Sequence, residues 1–230
     1  MSSSRIQIIS IEGNIGSGKS TLLEELRNHF SNNESIIFLQ EPVDEWAKIQ
    51  DENGVTMLEK FYQNQKKYSF AFQMMAYISR LAALKKAVES ANQKQNKQEN
   101  HKTIIITERS LFTDKMVFAQ MLYDSGAIEH IEHQIYLQWF DTFAAEYPIS
   151  KIIYVKTAPE ICHFRILKRS RTGEDCIPLE YLDQCHEYHE KMMSSDCITR
   201  IQLVLNGNID KKENEKEWEE WIQQIEKFIT

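Results

Sequence analysis

Residues 6–21 read IQIISIEGNIGSGKST, and this stretch decides the fold. Gly13, Gly18, Lys19 and Ser20 satisfy the spacing G-x-x-x-x-G-K-[ST] of a phosphate-binding loop. Glycines let a chain turn its N–H groups inward around phosphate oxygens, a lysine adds a mobile cation, and the serine hydroxyl can reach a magnesium ion. Ile6, Ile8, Ile9 and Ile11 read as a buried strand before the loop, and TLLEELRNHF reads as a helix behind it. The N-terminus of that helix then points at the anion. A nucleoside triphosphate with magnesium is the expected ligand, cradled by Gly13, Asn14, Ile15, Gly16, Ser17, Gly18, Lys19, Ser20 and Thr21.

Outward from the loop the same grammar repeats. IIFLQ (36–40) reads as a short buried strand ending at EPVDEW, and HKTIIITERS and SKIIYVKTAP each give an apolar strand, an emerging polar tip and a helical stretch. RIQLVLNG supplies a fifth strand. Strands alternating with helices imply a parallel sheet with helices on both faces, which binds ligands beyond the carboxyl ends of its strands. Glu12, Glu41, Glu108 and Arg109 should therefore gather near one edge.

A long helix is expected from about Gln65 to Ser90, with Phe70, Met74, Tyr77, Ile78, Leu81, Leu84 and Val88 as one apolar stripe and Gln73 and Arg80 at its border. The tract ANQKQNKQENHK behind it reads as a solvated loop. Pro178 suits the first turn of a helix through PLEYLDQCHEYHEKM, and Trp218, Trp221, Ile222, Ile225 and Phe228 fall at helical spacing as core.

Composition narrows the classes. With 230 residues and 42% hydrophobic content, the chain fits one domain with one core. A formal net charge of -7 argues against nucleic-acid or anionic-membrane partners, so any phosphate site must be locally basic. Cys162, Cys176, Cys185 and Cys197 lack C-x-x-C pairing, MSSSR is short for a transit peptide, and no apolar segment reaches membrane length. A reducing cytosol is the expected setting.

Six motifs, in order, resemble the deoxynucleoside kinase family in its deoxycytidine and deoxyguanosine kinase branch: EGNIGSGKST, EPVDEW, FAFQMMAYISRL, TERSLFTDKMVFA, RILKRSRTGED and IPLEYLDQCHEYHE. The resemblance implies a P-loop kinase fold, α/β, with a five-stranded parallel sheet wrapped by helices and an arginine-rich lid at about 165–177. It also implies transfer of the terminal phosphoryl of ATP or another triphosphate to a deoxynucleoside 5'-hydroxyl. Carried over residue by residue, Glu41 is the general base, Arg109 holds the transferring phosphate and the attacking hydroxyl, and Glu108 positions magnesium through water beside Ser20. Arg165, Arg169 and Arg171 match the lid arginines, able to cover the equatorial oxygens. Glu174 matches the acid that contacts the sugar 3'-hydroxyl, with Tyr62 as its partner. For the base, Gln73 reads its edge, Arg80 with Asp114 reads its polar substituents, Phe72 and Phe118 sandwich the ring, and Trp46 and Met75 line the walls. Retention of both Arg80 and Asp114 implies cytosine or purine bases, and the family implies a homodimer built by helix packing. Three positions depart: Lys67 and Tyr68 stand where the family usually carries an arginine-tryptophan pair, and Gly173 replaces a second lid acid.

Other readings fit less well. In CHEYHE, Cys185, His186 and His189 share a helical face, but the spacing is not H-E-x-x-H. DENG (51–54) and NKQE (96–99) mimic GTPase motifs without following an apolar strand. A nucleotide kinase such as thymidylate kinase shares loop, sheet and lid, but its phosphorylated acceptor needs a basic clamp where EPVDEW offers carboxylates. A plain binding module would show no turnover.

Overall fold

A computed structural model describes residues 6–95, 102–169, 177–211 and 214–229. Its five strands are β1 (Ile6–Glu12), β2 (Ile36–Leu39), β3 (Thr103–Glu108), β4 (Lys151–Lys156) and β5 (Gln202–Asn206). They form one sheet in the order β2-β3-β1-β4-β5, and every pairing is parallel. Ile11 lies opposite Glu108 on one side and Ile153 on the other, so β1 delivers the glycine loop between the tips of β3 and β4. This is the doubly covered parallel sheet that the repeating strand-helix pattern implies.

The helices are α1 (Lys19–His29), α2 (Val43–Trp46), α3 (Met57–Gln63), α4 (Gln65–Gln95), α5 (Leu111–Thr113), α6 (Gln120–Asp124), α7 (His130–Phe143), α8 (Pro159–Arg169), α9 (Leu179–Ser194) and α10 (Glu215–Ile229), with a π-helical turn over Asp114–Ala119 and a 3-10 turn over Ala144–Glu146. Because side chains alternate along a strand, Ile9, Ile11, Ile106 and Ile153 meet α1 and α10 through Leu22, Leu26, Trp221 and Ile225. Ile8 and Ile105 face the opposite way and meet α4 and α7 through Tyr77, Leu84, Tyr136 and Phe140. Both faces are buried, which is why these strands read as runs of isoleucine rather than as alternation.

The long helix differs from its sequence reading in three respects. It continues to Gln95 rather than ending at Ser90, because Ala91 is fully buried and extends the packed face; residues 96–101 of the polar tract, NKQE among them, lie outside the described residues. Gln73, Tyr77, Arg80, Leu84, Ala87 and Ala91 are all buried and recur every three or four residues, so Gln73 and Arg80 occupy the middle of the buried face, not its border. Ile78 falls off that face and is 52% exposed. The cause is that α4 covers the sheet with one flank, through Phe70, Met74 and Leu81, and a ligand-sized cavity with the other, through Phe72 and Ala76. The seam between the two flanks is where the polar residues sit.

Pro178 takes the N-cap position of α9, one residue before the helix, and its carbonyl accepts from the Tyr181 N–H at 3.1 Å. DENG forms a tight turn: Asp51 Oδ1 accepts from the N–H groups of Asn53 and Val55, and Lys60 pairs with the same carboxylate at 2.7 Å. The glycine loop rests against α9 and β4 through Asn14 on the Leu182 carbonyl and Gly13 on that of Val155, and it thereby closes one end of the cavity. Leu22 packs at full burial directly below it. Leu22→Ala should lower stability by about 2–5 kcal/mol, the usual range for a large-to-small change in a core, whereas Val204→Ala on the edge strand, 56% exposed, should cost under about 1 kcal/mol; urea unfolding of both variants checks the contrast.

Candidate active site

The loop is glycine-dependent by close approach as well as by dihedral. Gly16 has φ 76°, and a Cβ there would lie 2.6 Å from the Cys162 carbonyl oxygen; at Gly13, with φ 146°, it would lie 2.6 Å from that of Val155. Gly16 is outside the four motif positions yet equally constrained. Gly18, also left-handed, is the N-cap of α1 and leaves the amides of the first turn unmade by any side chain. Lys19 folds back into the loop, where its Nζ donates to the Asn14 carbonyl at 2.6 Å. Burial, and then the neighbouring Arg109 charge, pull this ammonium down to about 7. A phosphate chain in the loop would restore the charge and draw the lysine outward.

Ile15, Gly16, Ser17, Gly18, Lys19, Ser20 and Thr21 line one end of a cavity of about 400 Å3, a size suited to a drug-sized or nucleoside-sized ligand. Gly13 and Asn14 stand behind the loop instead: the Gly13 carbonyl accepts from Arg109 Nη1 at 2.7 Å, and the Asn14 amide donates to the Leu182 carbonyl at 2.8 Å.

The tips of β2 and β3 bring an ion network to the cavity floor. Arg80, from α4, donates through Nε to Asp114 Oδ2 at 2.9 Å, through Nη1 to the Glu108 carbonyl at 2.8 Å and through Nη2 to Glu41 Oε1 at 2.9 Å. Arg109 Nε approaches the same Glu41 oxygen at 3.4 Å. Burial alone would raise the Glu41 carboxyl, but the Arg109, Arg80 and Lys19 charges outweigh it and hold the group at about 2. Glu41 is therefore ionised at neutral pH and faces the cavity. Asp114 behaves oppositely: burial outweighs the one guanidinium it shares with Glu41 and pushes it up to about 6.

Arg109 is the sole non-glycine with a left-handed φ (63°) among the described residues. Its N–H continues the sheet ladder to the Ile11 carbonyl at 2.9 Å, while the left-handed turn swings its side chain over the Phe118 ring at 4.9 Å. Strain of this kind persists where the surroundings over-determine it, and it marks functional positions. Next to it, Glu108 Oε1 accepts from Ser20 Oγ at 2.5 Å and Oε2 from the Glu41 N–H at 3.3 Å. A hydroxyl and a carboxylate side by side at the loop floor are the hard oxygen donors a magnesium ion takes. Glu12, expected at this edge, is instead fully buried behind it, and its carboxylate accepts from the Thr113 hydroxyl.

The wide end of the cavity is aromatic. Phe72 stacks on Phe61 (4.6 Å, 17°) and meets Trp46 edge-on at 5.7 Å; Trp46 Nε1 is anchored on Ser79 Oγ at 2.8 Å. Tyr62, Tyr181 and Phe118 complete the wall. Within this apolar lining Gln73 is 2% exposed and its Oε1 has no partner among the described residues, a cost that a ligand donor would remove. Asp114 and Phe118 are brought onto the cavity together by the π-helical turn, whose wider winding suits a site better than regular helix. Met75 lies off the lining and packs against the aromatic cluster from outside.

At the loop end, Arg165 and Arg169 of α8 reach the cavity. Arg165 is spent on backbone: Nη1 donates to the Gly207 carbonyl at 2.9 Å and to that of Ser17 at 3.3 Å, and Nη2 to that of Ile209 at 2.7 Å. It ties the phosphate loop to the segment after β5. That segment, from Gly207 to Lys211 together with Trp218 and Trp221, forms a cavity wall that no sequence motif announced. Arg171, Gly173 and Glu174 fall outside the described residues. In CHEYHE, Cys185 and His189 are fully buried, and the His189 ring is turned to the Cys185 carbonyl and to Arg109.

Comparison with known proteins agrees with this geometry. Residues 9–230 match the deoxynucleoside kinase family. Deoxycytidine kinase 2 of Gallus gallus is 33% identical over 98% of the chain and 91% of its own length, and deoxycytidine kinase of Homo sapiens is 32% identical over 98% and 92%. The mitochondrial deoxyguanosine kinase of Xenopus laevis is 28% identical over 98% and 91%. With a phosphate loop at one end of a cavity, an aromatic base-sized chamber at the other and this match over nearly its whole length, the chain belongs to the deoxynucleoside kinase family.

Proposed function

We propose that the protein phosphorylates the 5'-hydroxyl of deoxycytidine or a purine deoxynucleoside, with Glu41 receiving the hydroxyl proton. The observation that carries this reading is the shared cavity: an ionised Glu41 and the loop from Ile15 to Thr21 face one space. In this arrangement the base lies between Phe72 and Phe118, with Trp46 and Tyr62 on the walls, and the sugar alcohol meets Glu41. The triphosphate lies along the loop, with Lys19 and Arg109 on its terminal phosphoryl and Arg169 at the α8 end, while Arg165 braces the loop through the Ser17 carbonyl. Arg171 and Glu174 take lid roles by family resemblance.

A carboxyl group held at about 2 is a weak base, and two effects make it sufficient. Phosphoryl transfer passes through a loose transition state in which the nucleophile needs orientation more than early deprotonation. In addition, the Arg109 and Lys19 charges help to hold Glu41 down; phosphate charge placed beside them offsets part of that hold and raises its basicity. As the 5'-oxygen bonds to the terminal phosphorus, its proton passes to Glu41 Oε and the bridging oxygen leaves with the diphosphate. Ser20 and Glu108 would hold a magnesium ion, which would supply neutralisation of phosphate charge.

Base choice follows from donors and acceptors. Asp114 offers acceptors only, so an exocyclic amino group on the base satisfies it, whereas thymine would set a carbonyl oxygen against a buried carboxylate. Deoxycytidine kinases among the relatives agree with that preference. A nucleotide acceptor fits poorly, because Arg80 is already committed to two carboxylates and the Glu108 carbonyl.

We also infer a homodimer. Ile131, Ile135, Trp139 and Phe143 repeat every four residues on α7 and are 40–64% exposed, with Trp139 and Phe143 stacked at 5.9 Å. A continuous exposed apolar row on a helix marks an association surface, and a second copy presenting the same row is the partner that family resemblance implies.

Wild-type protein with ATP and magnesium should turn over deoxycytidine or a purine deoxynucleoside faster than thymidine, and chelation should stop it. A thymidine preference, or faster use of thymidylate, contradicts the assignment. Glu41→Gln should reduce kcat by about 100-fold or more while leaving nucleoside KM nearly unchanged; a KM effect alone would make Glu41 a binding group only.

Asp114→Asn should weaken the discrimination against thymidine. It should also change stability with pH. Because Asp114 titrates at about 6 against 3.8 for a free side chain, its contribution is complete below pH 3.8 and is lost as pH rises through 6. Wild type should therefore lose stability relative to the Asn variant between those two values, with a flat difference above about pH 7, read by urea unfolding. Trp139→Asp should convert a dimer to a monomer in light scattering; a monomeric wild type would remove the dimer.

A further inference from the structure

One buried titratable group at the site has no part in the chemistry described above. His189, in α9, is fully buried, and its ring is parallel to Tyr154 at 6.4 Å and edge-on to Phe118 at 6.2 Å. Nδ1 stands 2.6 Å from the Cys185 carbonyl, which can only accept. The ring hydrogen is therefore on Nδ1, and Nε2 presents its lone pair. That lone pair faces Arg109 Nη1 at 3.4 Å. Burial, reinforced by the Arg109 charge, keeps the imidazole well below its usual range and hence neutral. Were the ring a mere space-filler, nothing would require its tautomer to be pinned with the acceptor aimed at a guanidinium.

Arg109 Nη1 carries two hydrogens and has two acceptors, the Gly13 carbonyl at 2.7 Å and His189 Nε2. With both engaged and Phe118 beneath the plane, the guanidinium has no free rotation, and its Nε is left facing Glu41. We propose that His189 is a positioning residue for phosphoryl transfer, whose Nε2 lone pair fixes the Arg109 plane so that this cation spans Glu41 and the transferring phosphoryl. The 3.4 Å contact is long, as catalytic hydrogen bonds often are before substrate draws them together. This inference rests on the kinase reading and adds a residue to it that contacts neither substrate.

Asparagine and glutamine in place of the histidine separate the two nitrogens. The shorter asparagine amide reproduces the Nδ1 donor to the Cys185 carbonyl but not the acceptor toward Arg109, whereas the longer glutamine amide reaches the place of Nε2. His189→Gln should retain kcat within about 2-fold, and His189→Asn should lose about 10-fold or more, with nucleoside KM within about 2-fold for both, since small misplacement of a reacting group costs on that scale. In an Arg109→Lys background, which lacks the two Nη1 hydrogens, the two substitutions should no longer differ. Equal kinetics for the two variants, whether normal or impaired, would overturn the proposal, because packing alone would not distinguish them. If the asparagine variant proves unstable, the glutamine variant decides alone: folded, as its melting temperature shows, and yet about 10-fold slower, it would overturn the proposal too. Absence of turnover in wild type would instead overturn the kinase reading and this inference together.

Discussion

A single buried guanidinium organises this site. Arg80 grips Asp114, Glu41 and the Glu108 carbonyl at once, from the centre of the packed face of α4. One cation therefore joins the carboxylate assigned to the base, the carboxylate assigned to the sugar alcohol, and the strand tip that carries Glu108 and Arg109. Burying such a cluster is costly, and the cost is tolerated where the charges specify a geometry that apolar residues could not. The two carboxylates feel the shared cation unequally. Glu41 has Arg109 and Lys19 as well and stays ionised, whereas Asp114 has no second full partner and is pushed up to about 6.

The phosphate loop is the complementary constraint, made of backbone rather than charge. Gly13 and Gly16 lie against carbonyls of β4 and α8, leaving no room for a side chain. Lys19 is stored against the Asn14 carbonyl, partly discharged by burial. A triphosphate would thus meet a loop already shaped and a cation held in reserve. Phosphate charge beside Lys19 and Arg109 would also offset their hold on Glu41, which links the two ends of the cavity through Arg109.

Much of this was legible in the sequence, and for identifiable reasons. The alternation of apolar strands with helical stretches declared a doubly covered parallel sheet, and the glycine loop between strand and helix declared an anion site. EPVDEW and TERS follow strands, so topology alone brought Glu41, Glu108 and Arg109 to one edge. Other features were hidden because they depend on packing. Helical periodicity identified an apolar stripe on α4, but a helix serving both a sheet and a cavity has a wider buried arc, and Gln73 and Arg80 fell inside it. Glu12 shares the strand edge with Glu41 yet points to the interior, since alternation along β1 turns it toward Thr113. Arg165 looked like a phosphate ligand and holds three backbone carbonyls. The Gly207–Lys211 wall carries no motif at all, because its role comes from lying beside the loop in space.

The most direct measurement is a crystal structure with deoxycytidine and a non-hydrolysable ATP analogue bound together. The 5'-oxygen should lie about 2.6–3.2 Å from a Glu41 carboxylate oxygen, with the terminal phosphoryl within reach of Lys19 and Arg109 and the cytosine amino group on Asp114. A sugar alcohol turned away from Glu41, or the two ligands in separate clefts, would contradict the assignment of Glu41 and of the shared cavity.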